Sequence, residues 1–205
     1  MTGSDIATIV RSLLDEPSSE LITDTDILNY LNLVLLDNAA LVIKSGNPYY
    51  LKEEEITYNN GYFLPSDFWI LEDVFYKTSF GDYIAMFEMD TPYYTTSGSG
   101  IASKYNRVPR YWLVGTEIKI DPAFNNVTLK VRYHRKPDTL SSLSDTIDIP
   151  DDIKEVLTYD VAILGAVKGG YSITQLEQLR LIKEKKVKAF MGMNASHVIK
   201  RKYIL

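Results

Sequence analysis

The chain has no cysteine. That excludes a disulfide framework, a thiolate metal site and a cysteine nucleophile. Histidine is nearly as scarce, with only His134 and His197, far apart in sequence. Long apolar runs are missing too. The longest, Val161 to Val167, is about seven residues, far short of the roughly twenty that span a bilayer, so no membrane partner is expected. The first residues lack the basic, apolar, small-residue order of a signal peptide, and export by that route is not expected. No Gly-x-Ser-x-Gly elbow is present to support a serine triad on either histidine.

What is there is a chain of 205 residues, enough for one domain, or one domain with a large insertion. Such a chain buries about 70% of the surface it exposes when unfolded, so its core needs no staples. The net charge of −5 hides a gradient. Residues 1–90 hold 16 acidic and 4 basic side chains, a balance of −12, and residues 91–205 hold 11 and 18, a balance of +7. From Arg180 onward there are eight Lys or Arg against Glu184 alone. A charge dipole of this kind suits head-to-tail contacts. The 15 tyrosines offer large rigid contacts with a polar tip, the kind favoured at interfaces.

One stretch organises the rest, Ile147 to Gly170 (IDIPDDIKEVLTYDVAILGAVKGG). Pro150 suits a first helical turn, where no intrahelical N–H bond is lost, and Asp151 and Asp152 put negative charge at the positive end of the helix dipole. Ile153, Val156 and Leu157 form an apolar stripe. From Val161 to Val167 the helix is apolar all round, which predicts burial over its second half. Ala162, Gly165, Ala166 and Gly169 are small residues three or four apart, so a neighbouring backbone can come close. Gly169-Gly170 ends the helix through a left-handed cap. The other helices are expected to pack on this one.

Thr2-x-x-Asp5 reads as a capping box, followed by an amphipathic stripe of Ile6, Ile9, Val10, Leu13 and Leu14 that stops before Pro17. Thr23-x-x-Asp26 opens a longer helix carrying Ile27, Leu31, Val34, Leu35, Leu41 and Val42, closed by Gly46 and Pro48. From about Glu53 to Lys136 the period falls to two. Asn60-Gly61 between Glu55–Tyr58 and Tyr62–Leu64 is a hairpin signal. Phe68–Lys77 and Tyr83–Met89 flank a turn at Ser79–Asp82, and Tyr111–Val114 and Glu117–Ile120 flank Gly115-Thr116. Val127, Leu129, Val131 and Tyr133 alternate with Thr128, Lys130, Arg132 and His134, a strand with one buried face. The long loop Thr91–Asn106 is rich in Tyr, Thr, Ser and Gly. After the core helix, Ser172-x-x-Gln175 predicts a fourth helix with a stripe of Leu176, Leu179, Val187 and Phe190, fraying near Gly192.

The expected fold is therefore α+β: a bundle of about four helices (two N-terminal, two C-terminal), a β-rich insertion and an extended C-terminal arm. The boundaries read as 1–48 and 147–192 for the bundle, 49–136 for the insertion, 137–146 for a polar linker and 193–205 for the arm.

Candidate chemistry is thin. Three successive glutamates, Glu53 to Glu55, cannot converge on a metal from an extended strand, whose neighbours point to opposite faces; they read as a charged edge strand. Asp148, Asp151 and Asp152 are accounted for by charge at a helix start. Gly98 to Lys104 lacks the second glycine that a phosphate loop places before its lysine. His134 reads as an outward, solvated strand residue. No catalytic, metal-binding or cofactor-binding residues are assigned, and the chain is not expected to be an enzyme. Lys183, Lys185, Lys186 and Lys188 read as a solvated helix face, with DNA binding through Lys183–Lys202 as the alternative function. The tail is different. Lys200, Arg201 and Lys202 are followed by Tyr203, Ile204 and Leu205, charge and then apolar anchors, which suits docking into a groove or sheet edge of another protein.

In the order helix–helix–β insertion–helix–helix–arm, in the segment IPDDIKEVLTYDVAILGAVKGG, and in the Tyr-x-x-x-Pro-Asp-Thr-Leu of Tyr133 to Leu140 before it, the chain resembles the head-to-tail connector (adaptor, tail accessory factor) proteins of short-tailed bacteriophages. The resemblance implies a structural virion protein at the neck, assembled in the host cytoplasm as a twelve-copy ring. The ring would sit beneath the portal protein, extend the DNA channel without sequence-specific binding, and present a platform to the next tail component. It also implies that the C-terminal arm, here Lys200 to Leu205, runs along the portal.

Overall fold

The computed structural model describes residues 1–16, 21–59, 61–88, 110–120 and 126–195. The fold is α+β, with four helices and two four-stranded sheets. The chain divides into two compact units, one from residues 1–50 together with residues 136 onward, the other Leu51–Arg135.

In the helical unit both predicted capping boxes form. Thr2 and Asp5 satisfy each other's orphan groups at the start of α1 (Gly3–Leu13), and Thr23 and Asp26 do so at α2 (Asp24–Lys44). Ile9 and Leu13 of the predicted α1 stripe stay exposed, but most periodic apolar residues of both helices turn inward, with Ile6, Val10, Ile27, Leu31 and Val42 fully buried. Each such side chain contributes about 1.5–3 kcal/mol of transfer free energy. By length and composition α2 could cross a membrane, but it is a core helix, laid along α3 (Lys154–Gly169).

α3 is the centre of this unit, packed against α1, α2 and α4 (Thr174–Ala195). It does not begin at Pro150. That residue, at φ −58° and ψ 145°, caps a short 3-10 turn, Asp151–Ile153, from which the α-helix proper continues. Gly170 ends it at φ 70°, as the sequence requires, with the Tyr171 N–H bonded back to the Ala166 carbonyl at 2.9 Å. The expectation of all-round burial in its second half does not hold. Val161, Ala162, Gly165 and Ala166 are buried, but Val167 is 61% exposed. Among the described residues, three neighbouring helices cover α3 and leave the side of Val167 open.

Two expectations for α4 are corrected. It starts at Thr174 rather than at a Ser172 box, because the chain is still leaving the left-handed cap at Tyr171. It also passes Gly192 and ends at Ala195; one glycine costs only about 1 kcal/mol among good helix formers. Residues 137–146, expected as a polar linker, are held down. Leu140 is buried and exchanges two hydrogen bonds with the Asn32 side chain, and the Leu143 and Asp145 carbonyls accept from the Ser4 and Gly3 N–H groups.

In the insertion one sheet has the order β1 (Leu51–Tyr58), β8 (Val127–Arg135), β3 (Phe68–Lys77), β4 (Tyr83–Ala85). The other runs β2 (Tyr62–Phe63), β7 (Glu117–Ile120), β6 (Arg110–Val114), β5 (Phe87–Glu88). The β3–β4 and β6–β7 hairpins form, and Gly115 takes φ +61°. The stretch read as one strand from Tyr83 to Met89 is split, however: Tyr83–Ala85 pairs with β3, and Phe87–Glu88 crosses to the other sheet and pairs parallel to β6. The hairpin at Asn60-Gly61 does not form. β1 pairs along its whole length with β8, while β2 pairs with β7 in the other sheet. The turn signal does not decide which strand pairs with which. Here the segment crosses a shared core, with Tyr58 buried on one side and Leu64 on the other, among Val74, Tyr111, Ile118, Leu129 and Val131. The Tyr58 hydroxyl accepts the Ile120 N–H at 3.2 Å, joining the sheets.

Candidate partner-binding surfaces

Of the residues that could carry chemistry, His134 is where the sequence reading fails. It is 7% exposed, with Nε2 3.3 Å from Glu72 Oε2. Alternation alone puts it on the outer face of β8, but β8 is a central strand, and a residue there is flanked on both sides, by Leu51 and Ile70. The three glutamates separate as expected of an edge strand. Glu53 pairs with Arg132 at 3.0 Å and Glu55 with Lys77 at 3.7 Å, while Glu54 turns to the other face. There Glu54 accepts from the Tyr62 hydroxyl at 3.0 Å, and the Tyr133 hydroxyl lies 3.0 Å from Glu54 and 3.2 Å from Asp67. Asp67 is in turn paired with Lys52. Burial and the Glu54 carboxylate push the Tyr62 hydroxyl up to about 12, and burial with the same carboxylate raises Tyr133 further. Both tyrosines are thus fixed as proton donors, and the group reads as a satisfied network. Sequence reasoning missed it because its members are spread over residues 52–133. Among the described residues no group of three or more acidic or histidine side chains is placed to hold a metal. Asp148 is taken up at the start of the core segment, where its carboxylate accepts the Asp138 N–H at 2.9 Å, and Asp151 pairs with Lys154.

The small residues of α3 fall where its neighbours come closest. Ala162 and Ala166 are fully buried. A Cβ built at Gly165 would stand 3.0 Å from Leu14 Cδ1 and 3.1 Å from Ile22 Cδ1. It is therefore side chains rather than a backbone that need the space. At Gly169 the space is filled by the Tyr171 ring, 2.4 Å from such a Cβ.

α4 is held to this centre mainly by charge. Asn38 of α2, 1% exposed, donates to the Val34 carbonyl at 2.9 Å and to Asp160 Oδ2 of α3 at 2.7 Å. The other Asp160 oxygen takes Arg180 Nε of α4 at 2.7 Å, and Arg180 also pairs with Glu184, as does Lys188. Lys183 pairs with Glu155. Lys185 and Lys186 remain, exposed and, among the described basic residues of α4, without an ion pair. Of the four described cations that a DNA-binding reading would use, Lys183 and Lys188 are therefore engaged inside the subunit and Lys185 and Lys186 are not.

α4 also shows large apolar side chains to solvent: Leu179, Leu181 and Ile182 are 42–50% exposed, and Leu176 is its one buried residue among the described side chains. On α2, Leu33 and Leu36 are exposed beside Asp37. The outer face of the second sheet carries Phe63, Phe87 and Val114, each more than half exposed. The predicted docking arm, Lys200 to Leu205, and the loop Thr91–Asn106 lie outside the described residues.

In comparison with known proteins, a family model described as SU10 adaptor protein matches residues 1–176. No curated protein matches the chain.

Proposed function

The chain belongs to the SU10 adaptor protein family of phage head–tail adaptors, and from that premise we propose that it forms a ring between the portal and the tail. As a family member it is a structural component of the virion at the head–tail junction, in contact with portal and tail components. The finer reading is a closed ring of twelve copies that extends the DNA channel below the portal, with residues 196–205 as the arm that docks on the portal.

The observation that carries this reading is the extent of the match, which takes in α1, α2, the whole insertion and α3. Two features of the chain support a ring. The acidic first half and basic second half suit contacts in which one copy's front meets the next copy's back. Large apolar side chains also stand exposed on α2, α4 and the second sheet, where an assembly would cover them. No chemistry is proposed for it.

The test is electron microscopy of particles grown without this protein. DNA-filled heads lacking tails are expected, and normal tailed particles would overturn the reading. A truncation lacking 196–205 refines it: the subunit should fold and yet fail to join DNA-filled heads. Truncated protein that still joins them would remove the arm as the anchor.

A further inference from the structure

Two exposed helix faces in the helical unit carry opposite charge beside apolar side chains. On α2, Leu33 (59% exposed) lies one turn before Leu36 and Asp37, all on the side turned away from the buried residues Leu31, Val34, Leu35 and Asn38. On α4, Ile182 (50% exposed) lies one turn before Lys185 and Lys186. α3 stands between the two helices and packs against both. The ion pairs that hold α4 to α3 involve Arg180 and Lys183, Lys188 pairs with Glu184 within α4, and all of them leave this face untouched.

We propose that the Leu33–Leu36–Asp37 face of α2 on one copy packs against the Ile182–Lys185–Lys186 face of α4 on the next copy. The inference rests on the ring reading and supplies its contact surfaces; the α4 face lies beyond residue 176, outside the matched stretch. The occupant of each face follows from charge. Pairing either face with itself in a two-fold dimer sets Asp37 near Asp37, or four lysines together, with their apolar neighbours desolvated around like charges. Pairing the two different faces sets carboxylate against ammonium and covers all three apolar side chains. Such a contact is heterologous, so each copy keeps one free face of each kind, and repetition closes a ring if the rotation allows it.

The absence of cysteine makes the test clean. Virus particles are grown with Leu33→Cys, with Ile182→Cys, and with both substitutions. They are treated with a flexible bis-maleimide, which does not demand the strict geometry of a disulfide, and read on a denaturing blot for this chain. The double variant should give a ladder of multimers, and each single variant a monomer. A double variant that stays monomeric in assembled particles overturns the interface and leaves the adaptor reading standing, as does a dimer from Leu33→Cys alone, which would mean a two-fold contact. Particles that lack the chain altogether overturn the adaptor reading itself. Charge reversal gives a second arm. Asp37→Lys, or Lys185→Glu with Lys186→Glu, should cut the yield of tailed particles at least tenfold. All three reversals in one chain should restore it. Single reversals at wild-type yield would overturn the proposal.

Discussion

α3 and α4 follow one another in the chain, separated by a turn at Gly170, yet they use their surfaces in opposite ways. α3, with 16 residues, buries Val156, Leu157, Thr158, Val161, Ala162, Gly165 and Ala166. α4, with 22 residues, buries Leu176 alone among its described side chains and is tied to α3 by Arg180 and Lys183. Apolar burial is indifferent to direction, so α3 can serve three neighbours at once. Ion pairs at half-exposed positions contribute little each, about 0–1 kcal/mol, but they fix orientation. α4 is thus positioned more than it is embedded, which leaves its leucines and spare lysines available to another protein.

The contrast can be broken from the α3 side with the largest effect. Leu157→Ala removes a fully buried side chain at the centre and should cost about 2–5 kcal/mol, read as a fall in the denaturant midpoint. Gly165→Leu comes next. Its Cβ would already crowd Leu14 and Ile22, and overpacking should cost about 1–3 kcal/mol; an unchanged melting temperature would contradict the close packing of α1 on α3. On the α4 side, Arg180→Met should cost about 1–3 kcal/mol by leaving Asp160 and Glu184 each short of a partner. The loss should be local, seen as faster amide exchange in α4 with α2 and α3 still protected. If α2 and α4 lose protection equally, the two helices are not the separate cases argued above. Smallest is the acid response of the pair that joins α3 to α2. The Lys168 ammonium, with Thr23, holds the Asp26 carboxyl down to about 2. The unfolded chain therefore binds the proton first, and the pair's contribution, full above about pH 4, is lost as pH falls through about 2. Asp26→Asn should flatten the acid limb of a stability–pH curve over that interval, and an unchanged limb would mean the pair is screened out.

Local chemistry made much of this readable in advance. A threonine hydroxyl and an aspartate three residues on have few other uses at a helix start, so both capping boxes were legible, as were the glycine cap at residue 170 and the hairpins at residues 68–85 and 110–120. What was not legible depends on partners distant in sequence. Asn60-Gly61 is a local hairpin signal, but only the eight-residue ladder with β8 decides that β1 and β2 belong to different sheets. His134 obeys strand alternation and is buried all the same, because the strand is central. Val167 sits in an apolar run and is exposed, since among the described residues none covers that side. Of the candidate surfaces, the basic character of α4 could be read directly. That Arg180 and Lys183 are spent inside the subunit could not, because their partners Asp160 and Glu155 belong to another helix.

The strap at residues 137–146 has a consequence for how the protein is made. It returns the chain from the insertion to α1, so the helical unit is finished by residues made long after it was begun. α2 is complete at Lys44, but the face of α3 that covers it ends only at Gly169. At roughly 5–20 residues per second, α1 and α2 wait on the order of ten seconds at the ribosome with their inward leucines uncovered. Among the described residues, every strand pairing of the insertion lies within residues 51–135, so its last strand leaves the ribosome ahead of α3. The insertion can therefore be fully paired while the first two helices still lack their cover, and in that interval chaperone capture or pairing with a neighbouring nascent chain would compete most directly with folding.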